Sequence, residues 1–149
     1  LTPLLCTIVL LSCNDNNMNT HITSVLCRNI ENPVCIDRVT FSWKIESDVQ
    51  NVIQTAWEIE VASSKEALEK GKADIWSSGI KESQEQLNIV PDDLKLNYGN
   101  IYWWRVRIWD GKKNMTPWSK SAYFSLGPQK KDWKAQWITA EWDEKMPRP

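Results

Sequence analysis

Apolar and polar residues alternate in short runs from about residue 21 onward, which is the period of a half-buried β-strand. The alternation is clearest at 39–46, 57–61 and 101–109. Turn-forming residues such as Asn32-Pro33 and Asp110-Gly111 separate the runs. Seven strands within roughly 105 residues predict an all-β fold, a seven-stranded antiparallel β-sandwich. The predicted strands are 23–30, 39–46, 57–61, 75–80, 85–90, 101–109 and 118–126.

One helical insert interrupts this series. Ser63 and Glu66 have the spacing of a capping box at the start of a helix, and Gly71 supplies a stop signal. The sequence therefore predicts one short helix between the third and fourth strands.

Composition narrows the function classes. The 149 residues contain 18 Lys and Arg against 19 Asp and Glu, for a net charge of −1. No basic surplus is available to neutralise a nucleic-acid backbone, so we expect no nucleic-acid partner. One histidine, His21, and five glycines leave little material for a histidine metal site or a phosphate loop. The ten tryptophans are the unusual feature.

The N-terminal residues 1–12 are apolar and uncharged, and they match a signal-peptide core rather than a membrane-spanning helix. The following Leu10-Leu11-Ser12-Cys13 resembles the lipobox of bacterial lipoproteins. That resemblance implies lipid attachment at Cys13, a polar tether over 13–20, and export to the periplasm or the outer cell surface. The alternative is a plain secretory signal with a free or buried cysteine.

Two further cysteines, Cys27 and Cys35, stand close together in the chain. An exported protein could oxidise them, but spacing alone does not establish a bridge. We favour two half-buried thiols near the first strand. The sequence has no cysteine pair with zinc-ligand spacing and no acidic cluster with calcium-cage spacing, so no metal or cofactor is expected.

Three features resemble a fibronectin type III domain. Trp43 lies in the second predicted strand, and Leu96 precedes Tyr102 as in a tyrosine corner. The run YWWRV over 102–106 lies in the sixth predicted strand. The resemblance implies that Trp43 fills the core and that the Tyr102 phenol bonds to backbone a few residues upstream.

A narrower resemblance is carried by six stretches in order: ENPV at 31–34, VASS at 61–64, DIWSSG at 74–79, YWWRVRIWD at 102–110, WS at 118–119 and DWKAQWI at 132–138. Together they resemble the N-terminal sandwich module of bacterial α-L-rhamnosidases of glycoside hydrolase family 78, over about residues 22–142. Cys35 departs from that pattern, since glycine is common there in the family.

The rhamnosidase resemblance implies a parent enzyme that removes terminal α-L-rhamnose with inversion, using two carboxyl groups. Those groups belong to a helical barrel domain far downstream in the family, so no catalytic residue is assigned here. The expected partners are the downstream domains, a rhamnose-containing glycan reached through them, and the membrane. We expect the sandwich over 21–127, and a linker with the first strand of a second β-domain over 128–149. Trp133, Trp137 and Trp142 are expected in that second domain.

The outward face of the sixth predicted strand carries Trp103, Arg105, Arg107 and Trp109, and Trp118 begins the next strand. We expect the arginines to stack on these indoles as a cation–π ladder. The alternative is a carbohydrate contact at Trp103, Trp109 and Trp118, because indole faces also stack on sugar rings.

The acidic residues have simple expected roles. Asp92 and Asp93 follow a proline and are expected in a turn. Glu58, Glu60 and the Asp143-Glu144 pair are expected at a solvated surface. The Asn114-Met115-Thr116 sequon is expected to be idle in a bacterial lipoprotein.

Two function classes remain open. The first is a non-catalytic module of a lipid-anchored rhamnosidase, or of another exported glycosidase with a different sugar. The second is a free-standing lipoprotein that binds carbohydrate or protein through its Trp/Arg face.

Overall fold

The computed structural model describes residues 20–128 and 134, and within them six strands form two antiparallel sheets. One sheet has the order β1-β2 and the other has the order β4-β3-β5-β6. This confirms the predicted all-β, antiparallel class with a single short helix in the described residues. The elements are β1 (Thr20–Cys27), β2 (Phe41–Ser47), β3 (Gln54–Ala62), α1 (Lys65–Glu69), β4 (Trp76–Ser77), β5 (Ile101–Asp110) and β6 (Ala122–Ser125).

Aromatic side chains from both sheets fill the space between them. Phe41 of β2 lies with its ring centroid 4.4 Å from that of Trp104 and 5.9 Å from that of Phe124. The inward residues of β5 are all buried, as the period-two pattern predicts. These inward residues are Tyr102, Trp104, Val106 and Ile108. The core therefore joins β2 of the small sheet to β5 and β6 of the large one.

The predicted fifth strand, 85–90, makes only an isolated bridge. The backbone N–H and C=O of Phe41 exchange hydrogen bonds with Ile89, and the N–H of Trp43 donates to the carbonyl of Gln86. Asn88 has φ +55°, which breaks the extended conformation before Pro91 is reached. Alternation in the sequence predicted an extended segment here, but it could not show this local break.

The last predicted strand, 118–126, is shorter in the structure and begins at Ala122. Pro117 has no N–H to donate to a ladder. Side-chain hydroxyl groups of the neighbouring residues bond to β5 instead, as described below.

The helix has its predicted position, but its N-cap is a different residue. The Ser64 hydroxyl accepts from the N–H of Ala67 at 3.1 Å, so Ser64 and not Ser63 is the N-cap. Ser63 is engaged by Asp74, whose carboxylate accepts from both its hydroxyl and its N–H. These hydrogen bonds lower the pKa of Asp74. Gly71, with φ +74°, ends the helix as predicted.

Two features of the fibronectin-like resemblance are present. The Tyr102 phenol oxygen accepts from the N–H of Asn97 at 2.8 Å and so fixes the turn before β5. Trp43 is 1% exposed, and its indole N–H donates to Gln54 at 2.9 Å. Gln54 in turn donates to the carbonyls of Ser83 and Glu85, which ties that segment to the sandwich.

The two described cysteines are free thiols, but neither is half-buried as predicted. Cys27 is buried, and burial raises its pKa to about 12. Cys35 is exposed and has φ +57°, the left-handed conformation that favours glycine.

The chain enters and leaves the sandwich at opposite ends. Thr20 pairs with Ser47 at one end, called here the N-terminal pole, which also holds the loops 48–53 and 111–115. The chain leaves at the other end, the C-terminal pole, where Leu126 bridges Ile36. The C-terminal pole comprises residues 28–40, 88–100 and 126–128. At about 3.3 Å per residue, the ten residues of β5 separate the poles by about 30 Å.

The predictions for the signal and Cys13 fall outside the described residues, as do those for Trp133, Trp137, Trp142 and Asp143-Glu144. Of the predicted tether, only Thr20 is described, and it is the first residue of β1 rather than part of a tether. In the part of the chain that the structure describes, no helix is long and apolar enough to cross a membrane. The same residues contain no group of three metal-ligating side chains.

Gly127 lies against the backbone of Cys35, and we expect Gly127→Ala to destabilise the domain. A Cβ there would stand 2.9 Å from the Cys35 carbonyl oxygen. The expected loss is about 1–3 kcal/mol of unfolding free energy, measured by urea denaturation. Gly111→Ala is the control, because its nearest atom is 3.9 Å away. Equal midpoints for the two variants would contradict the expectation.

Cys35→Gly is expected to stabilise the domain. A non-glycine residue in the left-handed region costs the folded state about 1–2 kcal/mol. Glycine removes that cost, but it loses more conformational freedom on folding, which offsets about 0.5–1 kcal/mol of the gain. The unfolding free energy should therefore rise by about 0.5–1 kcal/mol. Cys35→Ala removes the thiol but keeps the strained backbone, so it should show no such rise.

Candidate functional site: the arginine–tryptophan face

The outward face of β5 carries the candidate residues that the sequence singled out. Trp103, Arg105, Arg107 and Trp109 alternate with the buried core residues, and all four are half-buried. Trp118 packs beside them from the segment before β6. These five residues form the arginine–tryptophan face.

Two acidic residues of β3 lie directly across from the arginines. Both Nε and Nη2 of Arg105 donate to Oε2 of Glu60, at 2.9 and 2.7 Å. Arg107 Nε donates to Oε2 of Glu58 at 2.7 Å. The glutamate side chains are only 15% and 13% exposed. The expectation that Glu58 and Glu60 are solvated surface residues is therefore wrong.

Sequence reasoning missed these ion pairs because they depend on register between strands far apart in the chain. Glu58 pairs with Arg107 and Glu60 with Arg105 in the β3–β5 ladder. The available signal was matching i, i+2 spacing: two acids two residues apart in one strand, and two arginines two residues apart in another.

Trp118 contacts both arginines. The guanidinium carbons of Arg105 and Arg107 each lie 4.3 Å from the centroid of its ring. Arg107 is also 5.2 Å from the ring of Trp109. The expected stacking of arginines on indoles is present at these two tryptophans.

Hydroxyl side chains hold Trp118 in place. The N–H of Ile108 donates to the Thr116 hydroxyl, and the N–H of Val106 donates to the Ser119 hydroxyl, each at 3.1 Å. In return, the N–H groups of Thr116 and Ser119 donate to the carbonyls of Ile108 and Val106. The Thr-Pro-Trp-Ser segment at 116–119 thus lies hydrogen-bonded alongside β5, although Pro117 has no N–H to donate.

Trp103 lies toward the other end of the face, with different neighbours. Its ring centroid is 5.3 Å from that of Tyr123, and the ammonium group of Lys65 lies 6.0 Å from the ring. The sequence did not predict either contact, because both neighbours belong to other elements, β6 and α1.

The chemistry of this face is that of a rigid, charge-neutral stack. The carboxylates accept charge-assisted hydrogen bonds from guanidinium groups, and those guanidinium groups also lie against indole rings. A sugar ring that stacks on Trp118 would have to displace a guanidinium group 4.3 Å from its centroid. Carbohydrate contact at Trp103, Trp109 and Trp118 stays a prediction.

The remaining candidates lie elsewhere. His21 is exposed, 3.8 Å from Glu46. Asp93, with φ +55°, lies in a turn as expected. The Asn114 amide of the sequon donates to Asp110 at 3.0 Å, which holds the turn after β5.

Trp118→Leu is expected to lower the unfolding free energy by about 1–2 kcal/mol, since it removes two cation–π contacts of about 0.5–1 kcal/mol each. A double-mutant cycle with Arg105→Met separates the direct contact from the loss of bulk and from the unpaired Glu60. We expect a coupling energy of about 0.5–1 kcal/mol in urea denaturation. Additive single-variant effects would show that the contact contributes nothing.

Comparison with known proteins agrees with this fold. Residues 22–130 match the family model "Rha78A-like, N-terminal immunoglobulin domain". An α-L-rhamnosidase of Formosa agariphila is 33% identical over 119 residues, covering 77% of this chain and 12% of the relative. An α-L-rhamnosidase of Streptomyces avermitilis is 28% identical over 122 residues, covering 80% of this chain and 12% of that relative.

Solved structures give the same relationship. The α-L-rhamnosidase from Dictyoglumus thermophilum superposes with a TM-score of 0.74 at 31% identity, covering 80% of this chain and 14% of that one. The Streptomyces avermitilis enzyme complexed with L-rhamnose superposes with a TM-score of 0.76 at 27% identity, covering 81% and 12%. This chain therefore spans only a small part of the length of the relatives it matches. It belongs to the family of Rha78A-like N-terminal immunoglobulin domains, the N-terminal domains of α-L-rhamnosidases.

Proposed function

We propose that the chain is the non-catalytic N-terminal module of an exported, lipid-anchored glycoside hydrolase whose other domains remove terminal α-L-rhamnosyl residues. The observation that carries the proposal is the match of residues 22–130 to the N-terminal domain of enzymes of which the chain covers only 12%. The larger remainder of such an enzyme is where the catalytic groups are expected.

Inverting hydrolysis, the mechanism proposed for the parent enzyme, supports this division. It needs a general acid and a general base about 6.5–9.5 Å apart, both free to exchange protons with substrate and water. On the arginine–tryptophan face, Glu58 and Glu60 are instead each held by a guanidinium group at 2.7 Å. These carboxylates stabilise the sandwich rather than acting on a glycosidic bond.

The points at which the chain enters and leaves the sandwich suit a spacer. A polypeptide anchored in the membrane through a lipid on Cys13 would enter at the N-terminal pole and continue from the C-terminal pole, about 30 Å away. The rigid sandwich would hold the following domains clear of the periplasmic or outer-membrane surface. Its partners are then the membrane, the downstream domains and, through them, a rhamnose-containing glycan.

A free-standing module that binds carbohydrate or protein is the second candidate. The half-buried Trp103 and Trp109 favour it, because part of each indole reaches solvent. A parent glycosidase with a different sugar is a third. The relatives named above favour the rhamnosidase.

The test is to isolate the native polypeptide with an antibody raised against the 149-residue chain. We expect a polypeptide several times longer than 149 residues that releases L-rhamnose from an aryl α-L-rhamnoside. The recombinant 149-residue chain is the control and should release none. A native polypeptide that ends near residue 149 would contradict the proposal. A long polypeptide that cleaves another aryl glycoside and not the rhamnoside would show a different sugar.

Lipid anchoring has a separate test. Expressed in bacteria with a complete signal, the chain should incorporate radiolabelled palmitate and fractionate with membranes. Cys13→Ser should lose both properties, whereas Cys35→Ser, which removes an exposed thiol of the folded domain, should keep them. Equal labelling of the two variants would contradict attachment at Cys13.

A further inference from the structure

We infer that the groove at the C-terminal pole is the docking surface for the domain that follows residue 128 in the same polypeptide. The inference rests on the proposed function, since it requires a longer chain. It concerns a different property, because a flexible linker without any docking would serve a spacer equally well.

The groove has a volume of about 250 Å³, and its aliphatic side chains share the lining with Asp37, Arg38 and Tyr98. Leu94 and Leu96 are half-buried against the core, and Leu126 forms part of the lining. Val90 at the same groove is 70% exposed. Ile30 and Val34, in the β1–β2 connection at this pole, are also more than half exposed. Apolar surface of this kind is stabilised when another surface covers it.

The exit of the chain is fixed at the groove. The carbonyl of Leu126 accepts from the N–H of Gly99, and the N–H of Gly127 donates to the carbonyl of Ile36, each at 3.0 Å. The residues after 128 therefore begin at the groove wall. Trp133 stands five residues past Pro128, a span of at most about 18 Å. A domain that begins there is held beside the groove at high effective concentration.

The exit position selects this pole over the other one. The N-terminal pole also exposes apolar side chains, among them Val49 and Ile53, but no chain leaves it toward a C-terminal domain. The two poles thus supply a test residue and a matched control. Val90 and Val49 are both exposed valines, at 70% and 53%.

The experiment measures how fast trypsin cuts the linker at Lys130 and Lys131 in the full native-length polypeptide. Cleavage tracks the fraction of molecules whose linker is open. We expect Val90→Glu to raise the cleavage rate at least tenfold, because docking would bury a carboxylate. Val49→Glu should leave it unchanged. Both variants of the 149-residue chain should unfold at the wild-type urea midpoint, which shows that neither substitution disrupts the fold of the sandwich.

Each other outcome overturns the inference in a distinguishable way. If no longer polypeptide exists, the proposed function fails with it. If the polypeptide is long and both variants are cut at the wild-type rate, docking is wrong while the proposed function stands. If both variants are cut faster than the wild type and by the same factor, the effect is not local to the C-terminal pole and docking there is wrong. If the 149-residue chain sediments as a dimer that Val90→Glu dissociates, a second copy covers the groove.

Discussion

The alternation of β5 is the constraint on which the rest of the structure depends. Its inward residues meet Phe41 and Phe124 in the core, while its outward residues meet β3 acids and Trp118. A shift of one residue would exchange the two faces and place guanidinium groups in the core. The ion pairs and the core packing therefore require the same register, so each reinforces the other. This shared requirement explains why the longest strand tolerates two arginines between buried aromatic residues.

The sequence was sufficient wherever a local period or a local turn decided the outcome. The faces of β5, the helix after β3 and the glycine at its end follow from spacing within ten residues, and the tyrosine corner follows from the fibronectin-like resemblance. It was insufficient where the local structure depends on residues outside the pattern that was used to predict it. Ser64 rather than Ser63 is the N-cap, because the Ser63 hydroxyl donates a hydrogen bond to Asp74, eleven residues further along the chain. The residues 85–90 fall short of a strand because of the backbone at Asn88.

The same distinction between local and long-range determinants applies to the candidate site. Stacking of arginine on indole could be predicted, because all but one of the residues lie in a single strand. The glutamate partners were missed, because matching spacing indicates such pairs only once the strand register is known, and register is a property of the whole sheet. Finding Glu58 and Glu60 paired changes the chemical meaning of the face. Acids that were expected at a solvated surface are each held by a guanidinium group on the outward side of the large sheet.

The entry of the chain at one pole of the sandwich and its exit at the other have a mechanical consequence. A module tethered before Thr20 and extended past Pro128 carries any tension along its strand axes. Under such a load, the β1–β2 ladder from Thr20 to Cys27 is sheared, and its hydrogen bonds resist together rather than opening one at a time. The Gly127–Ile36 and Gly99–Leu126 bonds bear the load at the other end. A polypeptide pulled from both poles of the sandwich would thus load a domain whose strands lie along the direction of stretching.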